Sequence, residues 1–493
     1  MLRTKRLHNK RLLDIGLNST NCVAILERLG QAGKLAVITD HHGKHIMHRT
    51  LYPLLWTRGL LLPLLFLNID FVHSDDWPQW MGPSRDGVYH EPEQLKSIPA
   101  GGLKVLWRRP IAGGYSGPAV AGGKVFVPDF VSSGGEAFND PGKRAELVGV
   151  ERLWCLNADS GEVLWQDSYP VQYAISYPAG PRCTPTVDGD RVYTLGAQGD
   201  LRCINASNGK LLWNLNLAKQ YSATVPVWGH AAHPLVDRSR VICMVGGNEH
   251  AVVALDKMTG RELWRALSST DAGYCPPSTI EVGGHEQLLV WTPETLATLK
   301  PESGKTIWSE PLKPSYQMSI ARPQLEGDLL FTSGIGSVSL MLRMESNGQH
   351  VKELWQGEQK NSLYAANATP LIFNSVIYGS DCQTGAFMAV DAKVGALLWR
   401  TYQPIQADER RLSHGTAFTT RQGDRFWLFN ENGELILANL SREGYREIGR
   451  SKVLEPTGEA FGRAVVWSHP AYAYKRAFCR NDKEIVCVSL EDR

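Results

Sequence analysis

Apolar residues in this chain fall in short alternating runs, each cut off by Gly, Pro, Asn or Asp, a pattern that predicts strands joined by tight turns rather than helices. One frame of eleven residues recurs: CLNADSGEVLW at 155–165, CINASNGKLLW at 203–213, ALDKMTGRELW at 254–264, TLKPESGKTIW at 298–308 and AVDAKVGALLW at 389–399. In each copy an aliphatic residue (Leu156, Ile204, Leu255, Leu299, Val390) precedes a mostly polar residue able to open a turn (Asn157, Asn205, Asp256, Lys300, Asp391). Four positions on, a glycine (Gly161, Gly209, Gly260, Gly304, Gly395) can take the positive φ that ends such a turn. Four further on stands a tryptophan, on the returning strand. The frame is a β-hairpin, and it is repeated.

A second signal alternates with the first: a proline opening an apolar strand, a turn, and another apolar strand. Its copies begin at Gly117, Thr184, His233, Pro276, Arg322, Thr369, Thr416 and His469, the Thr416 copy lacking the proline. Proline at the first position of a strand costs no ladder hydrogen bond. One unit is therefore four strands, and its outer strands fall at Trp107, Trp165, Trp213, Trp264, Trp308, Trp355, Trp399 and Ile448, spaced 44 to 58 residues apart. The predicted fold class is all-β, an eight-bladed β-propeller of four-stranded antiparallel blades. The unit ending at Trp355 has a stretched turn, and the unit ending at Ile448 replaces the tryptophan. The C-terminal run EIVCVSL at 484–490 stops before any tryptophan strand, while Trp107 begins the repeats with such a strand alone. Pairing the two termini completes a blade and removes a free edge. Seven blades are the alternative if the Ile448 unit pairs otherwise.

Composition agrees with an all-β array: 47 Gly, 27 Pro and 15 Trp among 493 residues. The net charge of +2 is unevenly placed, with nine Lys or Arg against three Asp or Glu in residues 1–50, and 42 against 46 from residue 75 onward. A slightly acidic mature chain lacks the clustered basic face of a nucleic-acid binder. The apolar run LLLPLLFLNIDFV at 60–72 follows Arg49 and Arg58 and ends in Val72-His73-Ser74, as a signal peptide does; Pro63, Asn68 and Asp70 make it too interrupted for a membrane span. The expected organisation is an extension at 1–46 from a misassigned start, a signal peptide at 47–74 beginning at Met47, an aromatic and proline-rich segment at 75–102, and the propeller at 103–493. The mature product is expected to be exported, periplasmic or extracellular, without a transmembrane span. Eight cysteines follow residue 75 with no CxxC among them. Cys479 and Cys487, on one predicted hairpin, either pair or sit as buried thiols, the second being expected.

The frame A-[apolar]-D-x-x-x-G-x-x-x-W, met in full at 254–264 and 389–399, resembles the tryptophan-docking repeat of the pyrroloquinoline-quinone (PQQ) propeller superfamily. That superfamily includes quinoprotein alcohol dehydrogenases and the propeller lipoprotein of outer-membrane protein assembly. DWPQWMGPSRDG at 76–87 is similar to the opening motif of bacterial exported PQQ-binding-like propeller repeat proteins, with Met81 where an arginine is usual. The resemblance spans 76–493 and is specific for fold, weak for function. It implies that Trp107, Trp165, Trp213, Trp264, Trp308, Trp355 and Trp399 pack between adjacent blades. The physics agrees, since a large ring recurring once per unit seals the gap between sheets while its N–H finds a backbone acceptor. For a dehydrogenase the resemblance implies PQQ held against a vicinal disulfide, a calcium-type ion on carboxylate and amide oxygens, and an aspartate base. The chain has no Cys-Cys dipeptide. The ion's carboxylates and the base map onto no position, so no catalytic or metal-binding residue is assigned. Sequences of the G-x-S-x-G, P-loop or H-E-x-x-H kind are missing too.

In a propeller the residues just ahead of each inner strand gather around the axis at one end. Here they are Tyr115, Ser116, Arg182, His230, His233, Tyr274, Arg322, Asn367, His414, Arg463 and His469. Such a mouth of Arg, His and Tyr suits an anionic or polar ligand. The expected function is a monomeric ligand- or protein-binding or scaffold module. The alternatives are a PQQ- and Ca²⁺-dependent dehydrogenase of an alcohol or sugar, and a scaffold of the outer-membrane-assembly type. N-terminal sequencing of the exported protein should begin close after Ser74; recovery of residues 1–46 in that product would overturn the assignment of the start to Met47.

Overall fold

The repeated hairpin forms for a local reason. In 254–264 the Asp256 carboxylate accepts the N–H groups of Met258 (3.1 Å) and Thr259 (2.8 Å) and the Thr259 hydroxyl (2.8 Å). Asn157, Asn205 and Asp391 hold their turns in the same way. The chain then returns through glycine at φ between 69° and 73° in all five copies. On the returning strand the residue before each tryptophan is bulged out of register, which sharpens the strand twist where it meets its neighbour.

The computed structural model describes residues 75–492 apart from 93–94, 359–360 and 407–409; the expected extension 1–46 and signal peptide 47–74 lie outside the described residues. Eight four-stranded antiparallel sheets follow one another. Seven are built from consecutive strands, with inner strands at Ala119–Ala121, Thr186–Asp188, Leu235–Asp237, Ser278–Val282, Gln324–Glu326, Leu371–Phe373 and Ala417–Gln422, here called blades 1 to 7. Blade 8 joins Ala471–Ala473, Arg476–Arg480 and Glu484–Ser489 to the N-terminal strand Val105–Pro110. The protein is thus an eight-bladed propeller closed by its two ends, as the repeat arithmetic predicts. Its core lies between sheets: Tyr193 and Cys203 of blade 2 pack on Val241 and Val253 of blade 3, and Ile242 and Ala254 of blade 3 on Leu288 and Leu299 of blade 4. All eight described cysteines are buried and unpaired, Cys479 and Cys487 included.

The tryptophans meet the glycines of the following blade. A Cβ placed on Gly161, Gly209, Gly260, Gly304 or Gly395 would come within 2.5 to 2.8 Å of the ring of Trp107, Trp165, Trp213, Trp264 or Trp355 respectively. Each indole N–H also donates to a carbonyl in that turn: Trp107 to Ala158, Trp165 to Ala206, Trp213 to Lys257, Trp264 to Pro301 and Trp355 to Ala392, at 2.9 to 3.1 Å. Trp399 donates to Ser441 (2.8 Å). Trp308 faces the stretched turn of blade 5, and its buried Nε1 has no partner among the described residues. One expectation is corrected. In blade 7 the bulged residue is Ile448, and Gly449, opposite Leu437, occupies the register that tryptophan takes elsewhere. Ile98 of the N-terminal segment fills the vacated space, 3.1 Å from where a Gly449 Cβ would lie.

Two additions interrupt the regularity. In blade 1 the strands Lys124–Gly135, Ala145–Asn157 and Val163–Ile175 are 12, 13 and 13 residues long and rise beyond the sheet. A short hairpin, Gly458–Ala460 with Arg463–Val465, stands between blades 7 and 8, and Asn139 from the top of blade 1 donates to its Glu459 carbonyl (2.7 Å).

Gly260→Ala should cost about 2–4 kcal/mol in a urea titration, from left-handed strain plus the collision with Trp213. Gly189→Ala, at φ 57° with open space around it, should cost about 1 kcal/mol. Trp264→Ala should cost about 3–5 kcal/mol. Equal losses for the two glycines would show that the ring contact contributes nothing.

Candidate functional site

The approaches to the inner strands converge on the axis and enclose a cavity of about 140 Å³ to which all eight blades contribute. Six of the eleven predicted mouth residues line it: Tyr115, Arg182, His233, Tyr274, Asn367 and His469. The other five stand elsewhere. Ser116, His230 and Arg322 are buried outside the lining, each with a side-chain polar atom (Oγ, Nε2 and Nε) that has no partner among the described residues. His414 stacks on Phe461 (4.8 Å between ring centres). Arg463 sits on the inserted hairpin and pairs with the buried Glu431 at 2.7 Å. The insertion breaks the rule that residues ahead of an inner strand face the axis.

The basic groups of the cavity are held by the backbone. Arg182 is buried and donates to the carbonyls of Ser176 (2.9 Å), Tyr177 (2.6 Å) and Gly180, and its guanidinium lies 5.2 Å from the centre of the Tyr115 ring. Burial lowers its pKa from the ordinary arginine value. The backbone N–H of Thr184 donates to Nδ1 of His233 (2.8 Å), so the neutral ring carries its proton on Nε2. His469 Nε2 meets the Thr184 hydroxyl at 2.8 Å, and the two histidine rings pack edge to face. Burial, reinforced for His233 by the neighbouring His469 and Arg85, depresses both imidazoles, His469 to about 4. His230 is pulled down to about 4 by burial as well. Burial raises the hydroxyl pKa of Tyr115 and Tyr274 above the ordinary tyrosine value.

The floor comes from a part of the chain outside the repeats. Trp77, Trp80 and Met81 of the N-terminal segment line the cavity, and Trp80 stacks on His233 at 5.0 Å, 16° from parallel. This segment crosses the axis like a strut. Trp77 exchanges two backbone hydrogen bonds with Val120 in blade 1, the Pro78 carbonyl accepts from Val187 in blade 2, and Gly87 and Tyr89 pair with Arg421 in blade 7. Between them Arg85, 2 % exposed, donates to the carbonyls of His233 (3.2 Å), Pro234 and Pro277 (2.9 Å) and to the Gln79 amide oxygen (2.8 Å). Burial, then repulsion from Arg322, brings its pKa down to about 9. Nothing in the repeat pattern marks these residues as part of the site. The signal that points to them is a run of two tryptophans, two prolines and an arginine with no counterpart in any other unit.

Fold and site together define a closed propeller with interlocked blades and an axial pocket. The family described as outer membrane protein assembly factor BamB matches residues 149–401, and the chain belongs to this family of PQQ-repeat propellers. Among solved structures it is similar to BamB from Moraxella catarrhalis (14% identity, TM-score 0.52, covering 79% of this chain and 98% of that one). It is also similar to a quinohemoprotein alcohol dehydrogenase from Comamonas testosteroni (11%, 0.54, 85% and 81%) and to a europium-containing methanol dehydrogenase (11%, 0.56, 84% and 89%). At these identities the likeness concerns the fold alone. No curated protein sequence matches the chain.

The residues present do not fit PQQ and its ion. Among the described residues no three His, Cys, Asp or Glu side chains gather as metal ligands, and no two cysteines are joined. A cavity of about 140 Å³ floored by Trp80 and Met81 is close to the ~150 Å³ that suits a single benzene ring, too small for a three-ring quinone with its carboxylates and cation.

The depressed histidines set an acid limit. Between pH 6.5 and about 4 the unfolded chain binds protons at His230, His233 and His469 that the folded chain refuses. Stability is therefore full above pH 6.5 and falls on acidification through this window, by up to about 1.4 kcal/mol per pH unit for each histidine. His469→Gln should flatten the fall in urea titrations at pH 7, 6 and 5; an unchanged slope would show that His469 is not a buried neutral group.

Proposed function

We propose that this protein is an exported, non-catalytic propeller that binds a small anionic ligand in its axial cavity. The observation that carries this reading is the charge of Arg182: a buried guanidinium on the cavity wall whose hydrogen bonds go to backbone carbonyls, while the nearby Glu151 carboxylate is bonded to Tyr169, Tyr173 and the Ala197 N–H instead. An arginine stays protonated in a protein, and a positive charge in a low-dielectric pocket attracts an anion more strongly than it would in water. His233 and Tyr115 add polar groups beside it, and aromatic walls exclude water from whatever binds. Membership of a family described by an outer membrane protein assembly factor is in keeping with a binding module outside the cytoplasm. In a thermal-shift screen of the mature protein at pH 7, small organic anions should raise the unfolding temperature while uncharged analogues of the same size do not. Addition of PQQ and Ca²⁺ should give no alcohol- or sugar-dependent dye reduction. Turnover, or a screen in which no anion moves the midpoint, would overturn the reading.

A further inference from the structure

Resting on the axial cavity as an anion site, we propose that its ligand is a single-ring aromatic carboxylate. The first ground is size. About 140 Å³ is close to the ~150 Å³ of a protein cavity known to take benzene, so the space is of a size to seat one six-membered ring. The second ground is the wall. Tyr115, Tyr274, Trp80 and Trp467 all line the cavity, and a planar ring gains stacked or edge-on contacts from such neighbours that an aliphatic ring does not.

The third ground separates an aromatic acid from a sugar acid of the same size and charge. Most polar groups of the cavity are already committed within the chain. The Asn367 amide donates to the Thr416 hydroxyl (3.1 Å), the Trp467 indole to Glu431 (3.2 Å), and His469 is joined to Thr184 (2.8 Å). The Thr419 hydroxyl donates to the Ala417 carbonyl (3.5 Å), and the Thr369 hydroxyl accepts the Arg322 N–H (3.2 Å). With Nδ1 of His233 taken by the Thr184 N–H, His233 Nε2–H and the Tyr115 hydroxyl have no hydrogen-bond partner among the described residues, which offers a carboxylate two donors in the field of Arg182. A pyranose acid would bring several hydroxyls into a site with few groups left to meet them, and each unmet one costs affinity.

Titration calorimetry on the mature protein at pH 7 with benzoate, cyclohexanecarboxylate, glucuronate and acetate tests this directly. Benzoate should bind saturably, one per chain, at least tenfold more tightly than the other three. Tyr115→Phe, which keeps the ring and hence the packing, should weaken benzoate about tenfold with an unchanged unfolding midpoint. If glucuronate, acetate or cyclohexanecarboxylate bound as tightly as benzoate, the aromatic assignment would fall while the anion site stood. If none of the four bound, the site itself would fall with it.

Discussion

The ring is held by one contact repeated around it: an indole laid over a glycine. At five of the eight seams the glycine of a frame receives the tryptophan of the blade before it, and in the frames 155–165, 203–213 and 254–264 the same eleven residues also supply the tryptophan that covers the glycine of the blade after. In 254–264, Gly260 lies under Trp213 and Trp264 lies over Gly304. Neither residue can be exchanged alone. The glycine is needed twice, for a backbone conformation that disfavours a side chain and for the absence of an atom where the ring sits. The indole is needed for its area and for the N–H that satisfies a turn carbonyl which would otherwise be covered and unpaired. Where the frame is imperfect the structure makes a local substitution, Ile98 against Gly449, or leaves a polar atom unmet, Nε1 of Trp308.

The interlock fixes the angle between neighbouring sheets, and this brings eight inner strands to the axis. Their innermost edges have no further strand to pair with. Backbone carbonyls there need donors, and Arg85 supplies three of them from a single side chain. Arg182 does the same for the turn at 176–180. Guanidinium groups are thus placed at the centre of the molecule first as backbone ligands. Their charge is a by-product of that structural task, and it gives the axial cavity its character. The neutral histidines follow from the same crowding: burial alone disfavours a charge on His469, and on His233 a charge would also sit beside His469 and Arg85 with no water to screen it.

Much of the architecture was legible in the chain because propeller blades are made by local pairing. Asp256 and Gly260 specify a hairpin within six residues, and counting such hairpins leads to eight blades and to the joining of Trp107 with the C-terminal strands. The register of Ile448 was not legible, since a bulge is a property of two paired strands and the spacing of one cannot show it. The mouth rule located Tyr115, Arg182, His233, Tyr274, Asn367 and His469 because their connections run straight to an inner strand. It does not hold for Ser116, His230 or Arg322, which lie outside the lining, nor for Arg463, which the inserted hairpin carries away, nor for His414, whose ring stacks on Phe461 of that hairpin. Trp77, Trp80 and Arg85 escaped the pattern altogether: their partners, from Val120 to Arg421, lie along the whole length of the propeller, and contacts that distant leave no period in the sequence.

The strut from Trp77 to Tyr89 bears on the order in which the molecule can form. Its anchoring points lie in blades 1, 2, 3, 4, 7 and 8, so this segment has no complete seat until most of the ring exists. The closing strand is under the same constraint, with Arg108 meeting Glu484 across 376 residues. Blades can assemble one after another from nearby sequence, but the start of the chain must wait for its end, and such late, long-range closure is slow. A polypeptide of this design stays open until its last strand is available. The axial cavity, walled by the ring and floored by the strut, comes into being only at that final step.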